Sequence, residues 1–169
     1  GYEAQQVKDY CGDMYSYILQ EEQKGTGHAV LVAQDALAEN ASSVVVVYGD
    51  QPFVTSDTLT KMAEPLKTDG TLVLATACID DDELFEKQFS RYGRIIRNEE
   101  GDIIRIVEAK DATEEELAIR EVNVGFMAFD KEWAFDHLAN LKNDNAQEEY
   151  YLTDLVKIAF KENLVIHSV

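Results

Sequence analysis

The chain has 169 residues, 46% of them hydrophobic and 28% charged, the proportions of one folded domain and not of a disordered segment. Fifteen lysines and arginines face 33 aspartates and glutamates, and the formal net charge of -18 argues against nucleic acid or anionic membrane as a partner. No apolar run approaches the ~20 residues needed to span a bilayer and no signal peptide is visible, so a cytoplasmic location is expected.

In chain order, residues 15–19 are rich in aromatic and aliphatic side chains and predict a strand. A polar loop ending in Gly25-Thr26-Gly27 follows, then Ala29, Val32, Ala33, Ala36 and Leu37 at helical spacing. Residues 44–48 form a β-branched run, expected of a strand buried on both faces, which stops at Gly49-Asp50-Gln51-Pro52. Ser56 predicts the N-cap of a helix carrying Leu59, Met62, Ala63 and Leu66, which Pro65 should kink or end. A strand is expected over 72–78 and a solvated acidic loop over 80–83.

Strands over 94–97 and 103–108 flank Asn98-Glu99-Glu100-Gly101-Asp102, the pattern of a hairpin inserted at about 91–111. Thr113-Glu114-Glu115-Glu116 fits a capping box. Residues 122–129 read as a strand, and Asp130 as the cap of a helix holding Trp133, Leu138 and Leu141. A last helix carries Leu152, Leu155, Val156, Ala159 and Phe160, and 165–169 reads as a last strand. Strands alternating with helices predict an α/β domain, a mostly parallel, mixed sheet with helices on both faces, binding its ligand at the carboxyl ends of strands. Cys11 and Cys78 form no CxxC and are expected as buried, reduced thiols. His28, His137 and His167 show no metal-ligand spacing and read as surface or helix residues.

Four short motifs carry candidate chemistry. Gln20 stands before the Gly-Thr-Gly; its side chain offers a donor and an acceptor, which suits a pyrimidine edge, and the glycines allow close backbone approach, though a plain turn reads equally from spacing. Asp50 ends an apolar strand, as a magnesium ligand would or as a turn-capping aspartate would. Gly93 opens a strand, where a sugar hydroxyl or acetamide can reach the backbone, and Glu108 near the partner strand's end can accept from sugar hydroxyls; the alternative is a hairpin with a surface salt bridge. Asn123 inside an apolar strand needs a partner, either a ligand or the neighbouring backbone.

Together, Leu19-Gln20-Glu21-Glu22-Gln23-Lys24-Gly25-Thr26-Gly27-His28-Ala29, Tyr48-Gly49-Asp50-Gln51-Pro52, Tyr92-Gly93-Arg94-Ile95, Ile106-Val107-Glu108-Ala109-Lys110-Asp111, Glu121-Val122-Asn123-Val124-Gly125 and the run from Asn143 to Asp154 resemble one family. It is the uridyltransferase domain of the bacterial bifunctional N-acetylglucosamine-1-phosphate uridyltransferases and glucosamine-1-phosphate acetyltransferases. The resemblance covers nearly the whole chain and implies a Rossmann-like nucleotidyltransferase fold within a single domain. It implies that UTP and N-acetylglucosamine 1-phosphate give UDP-N-acetylglucosamine and pyrophosphate, a step that feeds cell-wall precursor synthesis. Gln20, Gly25 and Thr26 would hold the nucleotide, Tyr48, Gly93, Glu108 and Asn123 the sugar, and Asp50 a Mg²⁺ ion.

The chain departs from the family's pattern at Gln51, Phe53, Val124 (where the family has Thr) and Glu148 (where it has Gly). The family's first strand and basic phosphate loop would precede Gly1, and an acetyltransferase domain and a second metal-binding Asn would follow Val169. The chain is therefore expected to be part of a longer polypeptide, with an exposed apolar sheet edge that invites pairing, a homo-oligomer included. A nucleotidyltransferase for another sugar 1-phosphate and an inactive nucleotide-sugar-binding fragment are the alternatives.

Overall fold

The computed structural model describes residues 3–68 and 71–169. Six strands make one mixed sheet: β1 (Ser43–Val46), β2 (Leu72–Cys78), β3 (Arg94–Arg97), β4 (Ile103–Val107), β5 (Glu121–Asp130) and β6 (Ile166–Ser168). The helices are α1 (Ala4–Cys11), α2 (Thr26–Leu31), α3 (Ser56–Ala63), α4 (Asp82–Leu84), α5 (Glu114–Leu117), α6 (Lys131–Leu138) and α7 (Asp154–Lys161).

The path across the sheet is β4-β3-β5-β2-β6, and β1 pairs with β5. Strands β1, β2 and β3 all run antiparallel to β5, so they point the same way, and β6 lies parallel to β2. The helical crossover from β1 through α3 to β2 therefore joins two strands of like direction, as the strand–helix alternation predicts. The expected parallel neighbours are nevertheless few, because β5 inserts between β1 and β2 in the opposite direction. Only β2 and β6 pair in parallel among the described residues.

Side chains alternate across the sheet with period two. Leu72, Leu74, Met127 and Phe129 face one core with Phe135, Leu138, Leu152, Leu155 and Val156, beneath α6 and α7. Val73, Ala75, Phe126 and Ala128 face the other, against Met62 of α3. Helices on both faces are thus borne out, and one-residue alternation along β2 and β5 is what selects the face.

Several local expectations hold. Thr113 and Glu116 form a reciprocal capping box, and the Asp130 side chain accepts from the Trp133 N–H at 2.9 Å. In the β3–β4 hairpin Asn98 N donates to Asp102 O at 3.0 Å, and Gly101 takes φ 92 in the turn. Pro65 opens a 3-10 turn just beyond α3.

Others are corrected. Residues 15–19 form no strand; they run extended, with Tyr15, Ile18 and Leu19 exposed and no ladder partner among the described residues. The run from Val44 packs on both faces, Val44 and Val46 against one core and Val45 against the other, but only to partial burial, and its last residues Val47 and Tyr48 are exposed. The cap of α3 is Thr55, whose hydroxyl accepts from Thr58 N at 3.2 Å, and Ser56 is the first helical residue. Leu141 lies beyond the end of α6, and Leu152 before the start of α7. The thiols are free but not buried: Cys78 is exposed and Cys11 half-buried. Helix α1, which the apolar pattern did not announce, buries none of its residues. No helix among the described residues is long and apolar enough to cross a membrane.

Candidate active site

Where β1 ends, the chain makes a tight turn: Gln51 N donates to Tyr48 O at 3.2 Å, with Asp50 between them. Opposite this turn, β5 bulges. Leu74 pairs with Met127 and Thr76 with Asn123, so two steps along β2 match four along β5. Within the bulge Gly125 takes φ 92, and a Cβ there would lie 2.3 Å from Tyr48 Cε2. The tyrosine ring therefore sits on a position that accepts glycine and nothing larger. Asn123 Oδ1 accepts from Gly125 N at 3.0 Å, so the buried asparagine in an apolar strand is satisfied by the neighbouring backbone. Its own N–H donates to Gly93 O at 2.9 Å, which brings the start of β3 beside the bulge.

The result is an open cavity of about 290 Å³ between the turn, the bulge and the hairpin. Tyr48, Asp50, Gly93, Glu108 and Asn123 all line it, drawn from a stretch of 76 residues. Gln51, Arg91, Tyr92, Val124 and Gly125 complete the wall. Arg91 brings a positive charge that no sequence motif singled out; its position one residue before Tyr92-Gly93 is the signal that pointed to it.

Glu108 is the half-buried carboxylate of this wall. Burial pushes its pKa above the ordinary carboxylate value; the Thr153 hydroxyl, donating to Oε1 at 3.0 Å, opposes the shift, and Asp111 and Asp154 add to it. A Cβ at Gly93 would lie 3.3 Å from Glu108 Oε2, so the second carboxylate oxygen stands over the glycine backbone. Burial first, then Glu108 and Asp50, raise the Tyr48 phenol, which keeps it a neutral hydrogen-bonding group. The surface salt bridge considered for the hairpin is not formed by Arg94. Its guanidinium is 1% exposed and donates to the carbonyls of Leu117, Tyr92 and Ser90 instead.

Gln20, Gly25 and Thr26 gather in a separate loop cluster. Gln20 Nε2 donates to Gly25 O at 3.2 Å and lies 3.0 Å from His28 Nδ1. Gly25 takes φ 105, and a Cβ there would meet Tyr150 O at 2.7 Å. Gly27 N donates to that same oxygen at 2.8 Å, and Tyr150 N donates to Lys24 O at 2.8 Å. The two glycines thus admit the chain around Tyr150, a packing reason for the motif beside any ligand reason. The expected strand before this loop is absent, so the loop is positioned from below by that chain. Thr26 Oγ1 accepts from Leu152 N at 3.0 Å, and the next residue, Thr153, holds Glu108. Two consecutive residues therefore tie the Gln20 cluster to the cavity wall.

The donor chemistry suits a magnesium ion held in part. Among the described residues no three His, Cys, Asp or Glu side chains converge on one point. Asp50 offers one hard carboxylate at the mouth of the cavity, and magnesium commonly takes one or two carboxylates and fills its shell with water and substrate phosphate. The three histidines stand apart: His28 in α2, His137 in α6 beside Glu162 at 3.3 Å, and His167 in β6.

The family described as Nucleotidyl transferase matches residues 2–168. The chain is 44% identical over 160 residues to the protein named Bifunctional protein GlmU of Exiguobacterium sibiricum, covering 94% of this chain and 34% of the relative. It is 44% identical over 165 residues to the protein of that name from Staphylococcus carnosus, covering 96% and 34%. Against that from Latilactobacillus sakei it is 42% identical over 169 residues, covering 98% and 35%. The chain thus spans about a third of the length of the curated relatives it matches. A crystal structure of UDP-glucose pyrophosphorylase complexed with UDP-glucose shares its fold, with a TM-score of 0.70 at 19% identity over 99% of this chain and 69% of that one.

Proposed function

With the chain established as a member of the nucleotidyl transferase family, we propose that it is the nucleotide- and sugar-holding part of an N-acetylglucosamine-1-phosphate uridyltransferase. The reaction joins UTP and N-acetylglucosamine 1-phosphate and releases pyrophosphate, supplying UDP-N-acetylglucosamine for cell-wall precursors. A phosphate oxygen of the sugar phosphate attacks the α-phosphorus of UTP, and the bond to the bridging oxygen of the leaving pyrophosphate breaks. No side chain needs to act as a nucleophile, and none in the cavity is arranged as one.

The observation that carries the reading is the convergence of Tyr48, Asp50, Gly93, Glu108 and Asn123 on one cavity. Glu108 and the Gly93 backbone would receive the sugar hydroxyls and acetamide, with Asn123 and Tyr48 closing the wall. Gln20, Gly25 and Thr26 would hold the uracil and ribose side. Asp50 would hold Mg²⁺, which when bound neutralises phosphate charge and polarises the reacting phosphoryl group. The protein's own contribution is orientation, which can supply several kcal/mol of rate acceleration. Its net charge of -18 makes a bound cation and Arg91 the natural counterweights to a triphosphate.

The test is pyrophosphate release from UTP and N-acetylglucosamine 1-phosphate with Mg²⁺, alongside titration with UDP-N-acetylglucosamine. Asp50→Ala should abolish release and leave sugar-nucleotide binding in place when Mg²⁺ is withheld. Release that survives Asp50→Ala unchanged would remove Asp50 from the metal role. A faster rate with dTTP or with glucose 1-phosphate would replace the substrate assignment with that of a related nucleotidyltransferase.

A further inference from the structure

The turn that carries Asp50 and the bulge that carries Asn123 are fastened to each other twice. One fastening is the Tyr48 ring lying on Gly125. The other is Gln51. Its backbone N–H closes the turn on Tyr48 O at 3.2 Å, and its side-chain Nε2 reaches across to donate to Val124 O at 3.1 Å. Val124 lies between Asn123 and Gly125, in the stretch the β2–β5 register skips. Its carbonyl thus takes its bond from a side chain 73 positions away in sequence. Gln51, Asp50, Asn123, Val124 and Gly125 all line the same cavity.

We propose that Gln51 is a positioning residue that sets the spacing between the Asp50 wall and the Asn123–Gly125 wall of the cavity, and so fits the cavity to the sugar phosphate. The functional side of this inference rests on the sugar-nucleotide reading above; the clasp itself does not. A half-buried amide donating to a carbonyl within a bulge restrains a segment that the strand ladder has released. The nucleotide cluster of Gln20, Gly25 and Thr26 is held by Tyr150 and Leu152 instead, so loss of Gln51 should act on the sugar side and spare the base side.

The experiment compares wild type with Gln51→Leu, which removes the donor, and Gln51→Glu, which sets an acceptor against the Val124 carbonyl. Amide hydrogen exchange by NMR should rise about tenfold at residue 51 and at Gly125 in both variants, the scale of one net hydrogen bond, with the β2 amides unchanged. The KM for N-acetylglucosamine 1-phosphate should rise about tenfold, with the KM for UTP within about twofold. Unchanged exchange at Gly125, or a rise shared equally with β2, overturns the clasp. Local loosening with an unchanged KM for the sugar phosphate overturns the positioning role. If wild type neither turns over nor binds UDP-N-acetylglucosamine while Gly125 still loosens in the variants, the sugar-nucleotide reading fails and the clasp stands.

Discussion

Glu148 is an acidic side chain in a glycine's conformation. Its φ is 54, in the left-handed region, where an ordinary L-residue is disfavoured by roughly 1–2 kcal/mol. The backbone bonds of the loop (Glu148 N to Asn145 O at 3.1 Å, Asn143 Nδ2 to Glu148 O at 3.2 Å) survive loss of the side chain. Glycine costs unfolded-state entropy of about 0.5–1 kcal/mol, so the balance favours it slightly. Glu148→Gly should raise the urea midpoint with the m-value unchanged, a gain of about 0.5–1 kcal/mol in unfolding free energy. Glu108 gives a second expectation at this scale. Its pKa, like that of Asp154, is raised in the fold, so at these two sites the folded protein holds protons more tightly than the unfolded chain. Their contribution to stability is full below the ordinary carboxylate value and is lost as pH rises through the raised one, while Glu22, Glu116 and Glu121, all lowered, contribute in the opposite sense. Urea unfolding of Glu108→Gln against wild type, from acid to neutral pH, should show a shallower decline in the variant. A steeper decline would contradict the burial of this carboxylate.

Among the elements, the hairpin depends most on one buried cation. Arg94 begins β3, and its guanidinium binds carbonyls from the segment before the hairpin, Ser90 and Tyr92, and from the end of α5, Leu117. The Phe85 ring lies 4.9 Å from the guanidinium carbon. Burial lowers its pKa, with Glu86 opposing and Arg120 adding to the shift, and a guanidinium stays charged in a protein. Arg94→Met would strand three carbonyls and cost about 2–4 kcal/mol. It should also weaken UDP-N-acetylglucosamine binding, because Tyr92 and Gly93 lose the anchor that places them on the cavity. Equal binding by the two proteins under folding conditions would separate Arg94 from the site. The sequence pattern shows why this was hidden: an arginine opening a strand beside a glutamate-bearing partner strand reads as a surface pair. What buries it is the return of α5 over the hairpin, a contact that no local spacing encodes.

At the scale of the molecule, the sheet was legible wherever alternation was strong. The bounds of β2, the hairpin, the capping box at Thr113 and the cap at Asp130 follow from short-range chemistry, and the structure keeps them. The failures lie where a neighbour decides. Tyr15, Ile18 and Leu19 have strand composition but no ladder among the described residues, and the apolar run of β1 continues past its last paired residue into the exposed Val47 and Tyr48. The resemblance joined Gly93, Glu108 and Asn123 to one site, and each was readable as a candidate beside a plain structural alternative. The geometry of their meeting was not, because it depends on a bulge in β5 and on the order in which strands lie. Gln51 stood out only as a departure from the resembled family's pattern and Arg91 only adjoined a motif; their places in the cavity wall surfaced with the fold.

The place of β5 also fixes a timetable. Both β1 and β2 reach their pairing partner in β5, and Val46 pairs with Met127, 81 positions further along the chain. At roughly 5–20 residues per second, a ribosome needs about 4–16 s to make that stretch. During translation β1 waits that long with its Val-rich edge unsatisfied, and the sheet closes only when its central strand emerges. Protection of the newborn chain from proteases should therefore appear in one late step, after β5 clears the exit tunnel, and not in increments as each strand is made.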